Sequence, residues 1–515
     1  MRTRFPSWIF RSDRGAFAVF LALLAFLVQL SGCQARDATK CGWPGGRNIV
    51  LILCDDLGPH DLGCTGSERI ATPNLDLLRD QGMLFTQAYS GAPVCAPSRA
   101  SLLTGHSMGH CQIRDNSEAL NLPDGTFGGQ RGLAAGTRTL ASVLRDAGYA
   151  TGAFGKWGLG GPADASGHPL DQGFDRFFGY LCQRNAHNHY PSYLESDRGS
   201  VTLEGNSRAL TGAVYAPDRI LAEAEAWLGT VASRPFFLYF ATALPHLALQ
   251  APAAAIDRYS FEENVYDGKG GYLAHDRPRA AYAAMVSQVD AAVGELVAAL
   301  DARGLREETL ILFTSDNGAT FALGGYDPGF FRSNGDLRGH KGQLYEGGIR
   351  VPLIASWPGR IAVHSTCSEP VIGYDLFPTI LSVAAVAAVA AAPASDGVNL
   401  APVMLGEVRC ETLATRSPLV WEHPSGAGWQ AVRDGRWKLV RRQAKDASRA
   451  HFELFDLASD PAESRDCAGA EPAVVARLAA VMAERDESPV AAWNYAPLAV
   501  PASAAQAPIT VPAKP

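Results

Sequence analysis

Three apolar runs constrain the fold more than any other feature of the chain. They are Asn48 to Cys54 (NIVLILC), Pro235 to Ala241 (PFFLYFA) and Thr309 to Thr314 (TLILFT). A strand with one wet face alternates polar and apolar residues. An unbroken β-branched and aromatic run reads instead as a strand buried on both faces, as in a parallel sheet. Helical patterns lie around these runs, at Thr72 to Gln81, Leu140 to Ala147, Arg219 to Val231 and Ala280 to Ala302, with a shorter strand at Tyr149 to Phe154. Strands alternating with helices predict an α/β domain with a mostly parallel central sheet. We place it over residues 45–400.

The pattern changes near Thr415. Gln430 to Val440 carries Asp434-Gly435 between two β-prone runs, a hairpin signal. Phe452 to Leu457 adds a strand and Pro472 to Arg485 a helix, so residues 415–495 read as a smaller C-terminal α+β subdomain. The alanine-rich stretch Ala384 to Ala394 reads as a helix end or a linker, and the Pro/Ala-rich residues 496–515 as a disordered tail.

The N-terminus carries a targeting signal. Arg2, Arg4, Arg11 and Arg14 precede an apolar region from Ala16 to Leu30, too short for an ordinary membrane span. It ends in Leu30-Ser31-Gly32-Cys33, which resembles a bacterial lipobox. The resemblance implies a signal peptide over residues 1–33, lipidation of Cys33 and a membrane partner through the lipid anchor. The expected location is periplasmic or cell-surface, at the outer membrane since Gln34 is not acidic. An ordinary secretory signal and an uncleaved anchor are the alternatives. Export to an oxidising compartment permits disulfides among the remaining cysteines, whose spacing fits no zinc pattern and fixes no pairing. The formal net charge is -7, which argues against a nucleic-acid partner.

Two aspartate pairs sit where an α/β sheet gathers ligands. Asp55-Asp56 directly follow the first buried run, and Asp316-Asn317 follow the third. Ligands of open α/β sheets collect at the carboxyl ends of strands. Three carboxylates and an amide there form a hard oxygen set suited to Ca²⁺, with Mg²⁺ as the alternative. Either pair alone would pass for an Asp-rich turn. Cys95-Ala96-Pro97-Ser98-Arg99 opens a helical segment, which puts Cys95 at a helix N-terminus with the fixed charge of Arg99 nearby. A buried structural cysteine is the bland reading of the same residue.

Cys95-Ala96-Pro97-Ser98-Arg99 followed by Ala100-Ser101-Leu102-Leu103-Thr104-Gly105 resembles the signature of the type I sulfatases. The resemblance extends from about Asn48 to Asp466. Asp55-Asp56 and Asp316-Asn317 match the family's metal pairs, Gly155-Lys156-Trp157 its G-K-W, and Pro245-His246 its P-H. Gly339-His340-Lys341 with Glu346 to Pro352 (EGGIRVP) matches its G-x-K and E-G-G-x-R-V-P segment. It implies an alkaline-phosphatase-like fold and hydrolysis of sulfate monoesters. It further implies a nucleophile made by oxidising Cys95 to formylglycine (3-oxoalanine), installed by a formylglycine-generating enzyme. Asp55, Asp56, Cys95, Asp316 and Asn317 would be the metal-site residues. Arg99 and Lys156 would neutralise the sulfate. Lys341 and His246 would be acid candidates for the leaving alcohol. The implied chemistry uses the aldehyde hydrate: one hydroxyl attacks sulfur, and deprotonation of the other expels sulfate.

One position departs from the family. The usual G-K-W-H-L-G histidine, assigned as base for the second step, is Gly158 here. His187 and His189, within Asn185 to Pro191 (NAHNHYP), are the candidates to replace it, in a segment with the character of a substrate loop. Solvated loop histidines are the competing reading, and His168 is a weaker candidate. A sulfated sugar is the expected substrate ahead of a small aryl ester. A phosphonate or phosphate monoester hydrolase of the same superfamily is the second reading. A non-catalytic carbohydrate-binding lipoprotein is the third.

Overall fold

A computed structural model describes residues 47–118, 128–385 and 394–498. The signal segment with Cys33, most of the alanine-rich stretch and nearly all of the tail lie outside the described residues.

The first buried run forms β1 (Asn48–Cys54), followed by β2 (Gly82–Phe85), β3 (Ala88–Tyr89), β4 (Ala150–Lys156), β5 (Arg176–Tyr180), β6 (Tyr193–Ser196) and β7 (Gly199–Thr202). The other two runs form β8 (Phe236–Ala241) and β9 (Thr309–Ser315), and β10 (Leu353–Ser356) and β11 (Ser365–Cys367) follow. These make one ten-stranded sheet, in the order β11-β2-β10-β9-β1-β8-β4-β5-β6-β7, with β3 outside it. Its centre, β9-β1-β8-β4-β5, is parallel throughout. The flanks carry antiparallel pairs, except that the edge strand β11 runs parallel to β2.

Helices cover both faces: α1 (Pro73–Asp80), α2 (Cys95–Thr104), α3 (Leu140–Asp146), α4 (Ala216–Val231), α5 (Pro278–Asp301) and α6 (Leu376–Val383). Side chains alternate across a strand, and β1 shows the consequence. Ile49, Leu51 and Leu53 join the core under α2, α3 and α6, whereas Val50, Ile52 and Cys54 join the core under α1, α4 and α5. Burial on both faces explains why these runs carry so little polar alternation.

The C-terminal part is an antiparallel sheet of β12 (Leu419–His423), β13 (Trp429–Asp434), β14 (Trp437–Arg442) and β15 (His451–Asp456), with α7 (Pro472–Ala483) on one face. Its other face packs Trp421, Val440 and Phe455 against Leu344, Tyr345 and Ile349 of the α/β domain. The hairpin forms as the sequence predicts, but its two-residue loop is Gly435-Arg436, because Asp434 pairs with Trp437. Cys367 and Cys410 form a disulfide.

Candidate active site

The four central parallel strands deliver their chemistry to one edge of the sheet. Asp55-Asp56 follow β1, Asp316-Asn317 follow β9, His246 lies in the loop after β8, and Lys156 is the last residue of β4. Cys95 is the first residue of α2, so the helix N-terminus points at the same edge. Asp56 sits in the left-handed region, at φ 66°. Such a conformation costs a non-glycine residue about 1–3 kcal/mol and persists where surrounding structure enforces it.

The floor of the site is sealed. Asp55, Arg99, Asp316 and Asn317 are at most 1% exposed. Arg99 clamps Asp316 Oδ2 through Nε (3.0 Å) and Nη2 (2.7 Å), and donates from Nη1 to the Lys156 carbonyl (2.6 Å). Lys156 Nζ donates to Asp55 Oδ2 (2.5 Å). Burial opposes the Asp55 charge, yet Lys156, His246, Arg99 and Lys341 hold its carboxyl well below the usual carboxylate range. Burial and the nearby Asp55 push Asp316 up to about 6. Cys95 Sγ lies 3.3 Å from Asp55 Oδ1 and 3.3 Å from Lys341 Nζ. Burial, with Asp316 and Asp55, pushes the thiol up to about 12, so as a thiol it is a poor nucleophile near neutral pH.

Lys341 reaches in from the loop after β9. Its Nζ contacts Asp56 Oδ1 at 2.6 Å, and its carboxylate neighbours hold it protonated against burial. His246 Nδ1 meets the Leu247 carbonyl at 2.6 Å, which requires Nδ1 to carry the proton and leaves Nε2 as the free nitrogen, 3.6 Å from Asp56 Oδ2. The predicted histidine pair divides. His187 stacks on His246, with ring centroids 4.4 Å apart, and lines the cavity above Cys95. His189 is 0% exposed, sits behind His246 with Nε2 against its carbonyl (2.9 Å), and does not line that cavity. His168 borders a different groove, beside Glu195 and Asp197.

That cavity has a volume of about 340 Å³ and opens over Asp56, His246 and Lys341. Sequence reasoning missed part of its wall: Asn116, Gln130 and Gln183 on one side, Tyr272 and Phe321 on the other. Gln183 also explains Gly158. The glycine has φ +74°, and a Cβ there would meet Gln183 Cγ at 2.9 Å. A glutamine that opens the short helix Gln183–Ala186 after β5 occupies the room beside position 158.

A hard divalent cation fits this floor. The donor atoms of Asp55, Asp56, Cys95 and His246 lie within 4.8 Å of one another. Asn317 Nδ2 donates to Asp56 Oδ1 (2.8 Å), while its Oδ1 is buried with no hydrogen-bond partner among the described residues. Although Lys156, Arg99 and Lys341 balance the carboxylates, the unpaired amide oxygen beside three carboxylates completes a hard oxygen ligand set.

Known proteins share both the sequence and the fold. The sulfatase family profile matches residues 47–386, and that of the N-sulphoglucosamine sulphohydrolase C-terminal region matches residues 339–487. Human arylsulfatase A (Homo sapiens) is 33% identical over 486 residues, covering 84% of this chain and 86% of its own. The dog (Canis lupus familiaris) N-acetylgalactosamine-6-sulfatase is 34% identical over 389 residues, covering 72% and 69%. The crystal structure of Ps i-CgsB in complex with k-i-k-neocarrahexaose superimposes with a TM-score of 0.69 at 28% identity, covering 85% of this chain and 92% of that one. With profile, relatives and fold in agreement, the chain belongs to the type I sulfatases, hydrolases of sulfuric esters.

Proposed function

We propose that the chain hydrolyses a sulfate monoester on a carbohydrate, with a formylglycine made from Cys95 and a cation, Ca²⁺ or Mg²⁺, held by Asp55, Asp56, Asp316 and Asn317. The observation that carries this reading is the position of Cys95 Sγ, at a helix N-terminus and 3.3 Å from both Asp55 Oδ1 and Lys341 Nζ. On oxidation Sγ is lost and Cβ becomes the aldehyde carbon, so Sγ stands in for the oxygen that replaces it. When present, the two groups would supply a hydrated-aldehyde nucleophile and charge neutralisation of the sulfate.

The remaining work belongs to the chain's own residues. Arg99 and Lys156 hold Asp316 and Asp55 in place and balance their charge in a floor that excludes water. Lys341 brings a protonated amine to the cavity side of Cys95, where it would orient the sulfate and hold a proton for the leaving alcohol. His246 faces the same point with a free Nε2. His187, stacked on it and open to the cavity, is our candidate for the base that Gly158 cannot provide.

Sugar as the carrier is supported by relatives named for N-acetylgalactosamine 6-sulfate and by the neocarrahexaose complex. Export and lipid anchoring through Cys33 rest on the N-terminal pattern, and the Cys367–Cys410 disulfide is in keeping with an oxidising compartment. Maturation would require a formylglycine-generating enzyme as partner. The test pairs mass with turnover. The Cys95 peptide from native protein should be lighter than the thiol form by about 18 Da. Matched 4-nitrophenyl sulfate and phosphate should differ by roughly tenfold or more in favour of sulfate. An unmodified thiol in fully active protein, or a large phosphate preference, sinks the proposal.

A further inference from the structure

The cavity above Cys95 has two unlike walls. Tyr272, Phe321 and Leu323 form an apolar wall, and Phe321 is 43% exposed. Asn116, Gln130 and Gln183 form an amide wall, with Glu118 beside them. The amides are held in fixed orientation. Asn116 Oδ1 accepts from Ala96 N (2.8 Å) and from Gln183 Nε2 (3.3 Å), and Gln130 Oε1 accepts from Gln183 N (2.8 Å). Gln130 and Gln183 are only 2% and 4% exposed. Asn116 Nδ2 and Gln183 Oε1 make no hydrogen bond among the described residues, which leaves one donor and one acceptor for a ligand.

Charge on these walls is equally one-sided. Lys341 is the one lysine or arginine in the lining among the described residues, and it is committed to Asp56 and Cys95. Glu118 faces the cavity, and its partner Arg184, 2.5 Å away, is not part of the lining. Among the described lining residues, a second anion on the leaving group would therefore find no cation besides the committed Lys341.

We infer that this cavity is a leaving-group subsite for an uncharged, hydroxyl-rich ring, a neutral monosulfated sugar, and that it selects against rings bearing a carboxylate or a second sulfate. The sugar's apolar face would lie on Tyr272 and Phe321, and its hydroxyls would meet Asn116 and Gln183. Discrimination here comes from offering a second charge no lysine or arginine in the described lining beyond Lys341. The inference rests on the sulfatase reading above, and the experiment separates the two.

Matured full-length protein is assayed on monosulfated galactose and N-acetylgalactosamine at each position, on their disulfated counterparts, on hexuronate sulfates, and on 4-nitrophenyl sulfate. The best neutral ring should exceed its doubly charged counterparts in kcat/KM by about tenfold or more. Gln183→Lys should shrink that ratio by roughly threefold or more. An equal or reversed ranking overturns the inference, as does turnover of the aryl ester with no sugar sulfate accepted, or an unchanged ratio in folded Q183K. Where Q183K does not fold, the wild-type ranking decides alone. Failure on 4-nitrophenyl sulfate and every sugar sulfate, in protein shown by mass to carry formylglycine, removes the underlying sulfatase proposal instead.

Discussion

Lys438 Nζ lies 2.9 Å from Glu346 Oε1, with both side chains 0% exposed. The same ammonium is 2.8 Å from Glu463 Oε1, and Glu463 Oε2 accepts from the Glu346 backbone N–H at 2.6 Å. Lys438 and Glu463 come from the C-terminal subdomain, and Glu346 closes the loop that carries Lys341 into the active site. Arg350 and the Tyr89 hydroxyl complete the group around Glu346. The C-terminal subdomain thus anchors the loop that carries Lys341 through buried charge.

Removing Lys438 should cost both stability and turnover. Lys438→Met leaves two buried carboxyl groups with Arg350 and Arg433 as the cations near Glu346, a loss of about 3–5 kcal/mol. The loosened loop should misplace Lys341 and lower kcat by roughly tenfold or more. Denaturant unfolding and steady-state kinetics on 4-nitrophenyl sulfate measure the two effects. Wild-type kcat in a destabilised K438M would show that the anchor holds the fold but not the catalytic loop.

Gly158 gives a second prediction. Restoring the family histidine by Gly158→His should not improve the enzyme. The position has φ +74°, which costs a side-chain residue about 1–2 kcal/mol, and the new Cβ would press on Gln183. G158H should melt earlier than wild type and turn over no faster. Adding Gln183→Ala should recover part of the lost stability by clearing the contact at 2.9 Å. A gain in kcat from G158H alone, at unchanged stability, would mean that the site still has room for the missing base.

These two cases mark what the sequence makes legible. Asp55, Asp56, Asp316 and Asn317 could be placed because each pair directly follows a strand whose burial is written in its composition, and parallel neighbours end on one edge. Lys156 follows the same logic at the end of β4. Asn116 and Gln183 could not be placed, since two separate loops bring them together and neither has a periodicity. His187 and His189 looked alike for the same reason: in an irregular segment no repeat tells which residue faces a cavity. The Cys367–Cys410 pairing joins residues 43 apart, beyond what cysteine spacing alone could assign. The hairpin was readable, but its loop fell one residue later because cross-strand pairing continues through Asp434 and Trp437.

The orphaned Asn317 Oδ1 predicts dependence on a cation. Exhaustive chelation should abolish sulfate-ester turnover, and added Ca²⁺ or Mg²⁺ should restore it. Asn317→Ala should raise the half-restoring concentration by roughly tenfold or more. Chelation should also lower the unfolding midpoint, since a ligand at about 100 times its Kd stabilises by about 2.7 kcal/mol. Full activity in metal-free protein defeats the prediction.

Asp61 should make stability depend on pH in a way opposite to most carboxylates. It is 0% exposed, and its Oδ2 accepts from Gly58 N (2.8 Å) and Tyr282 OH (2.7 Å), with the Ser333 side chain nearby and no geometric hydrogen bond to Oδ1 among the described residues. Burial pushes its carboxyl up to about 6, against those hydrogen bonds. An unfolded aspartate titrates near 4, so the folded state holds the proton longer. Stability from this group is full below pH ~4 and is lost as pH rises through about 6. At about 1.4 kcal/mol per unit, the loss is about 3 kcal/mol. Asp61→Asn has no proton to lose. Unfolding free energies of both proteins, measured by denaturant from pH 4 to 7, should show D61N gaining about 2 kcal/mol relative to wild type across that window. A constant difference would mean that Asp61 is already ionised at pH 4 in the folded protein.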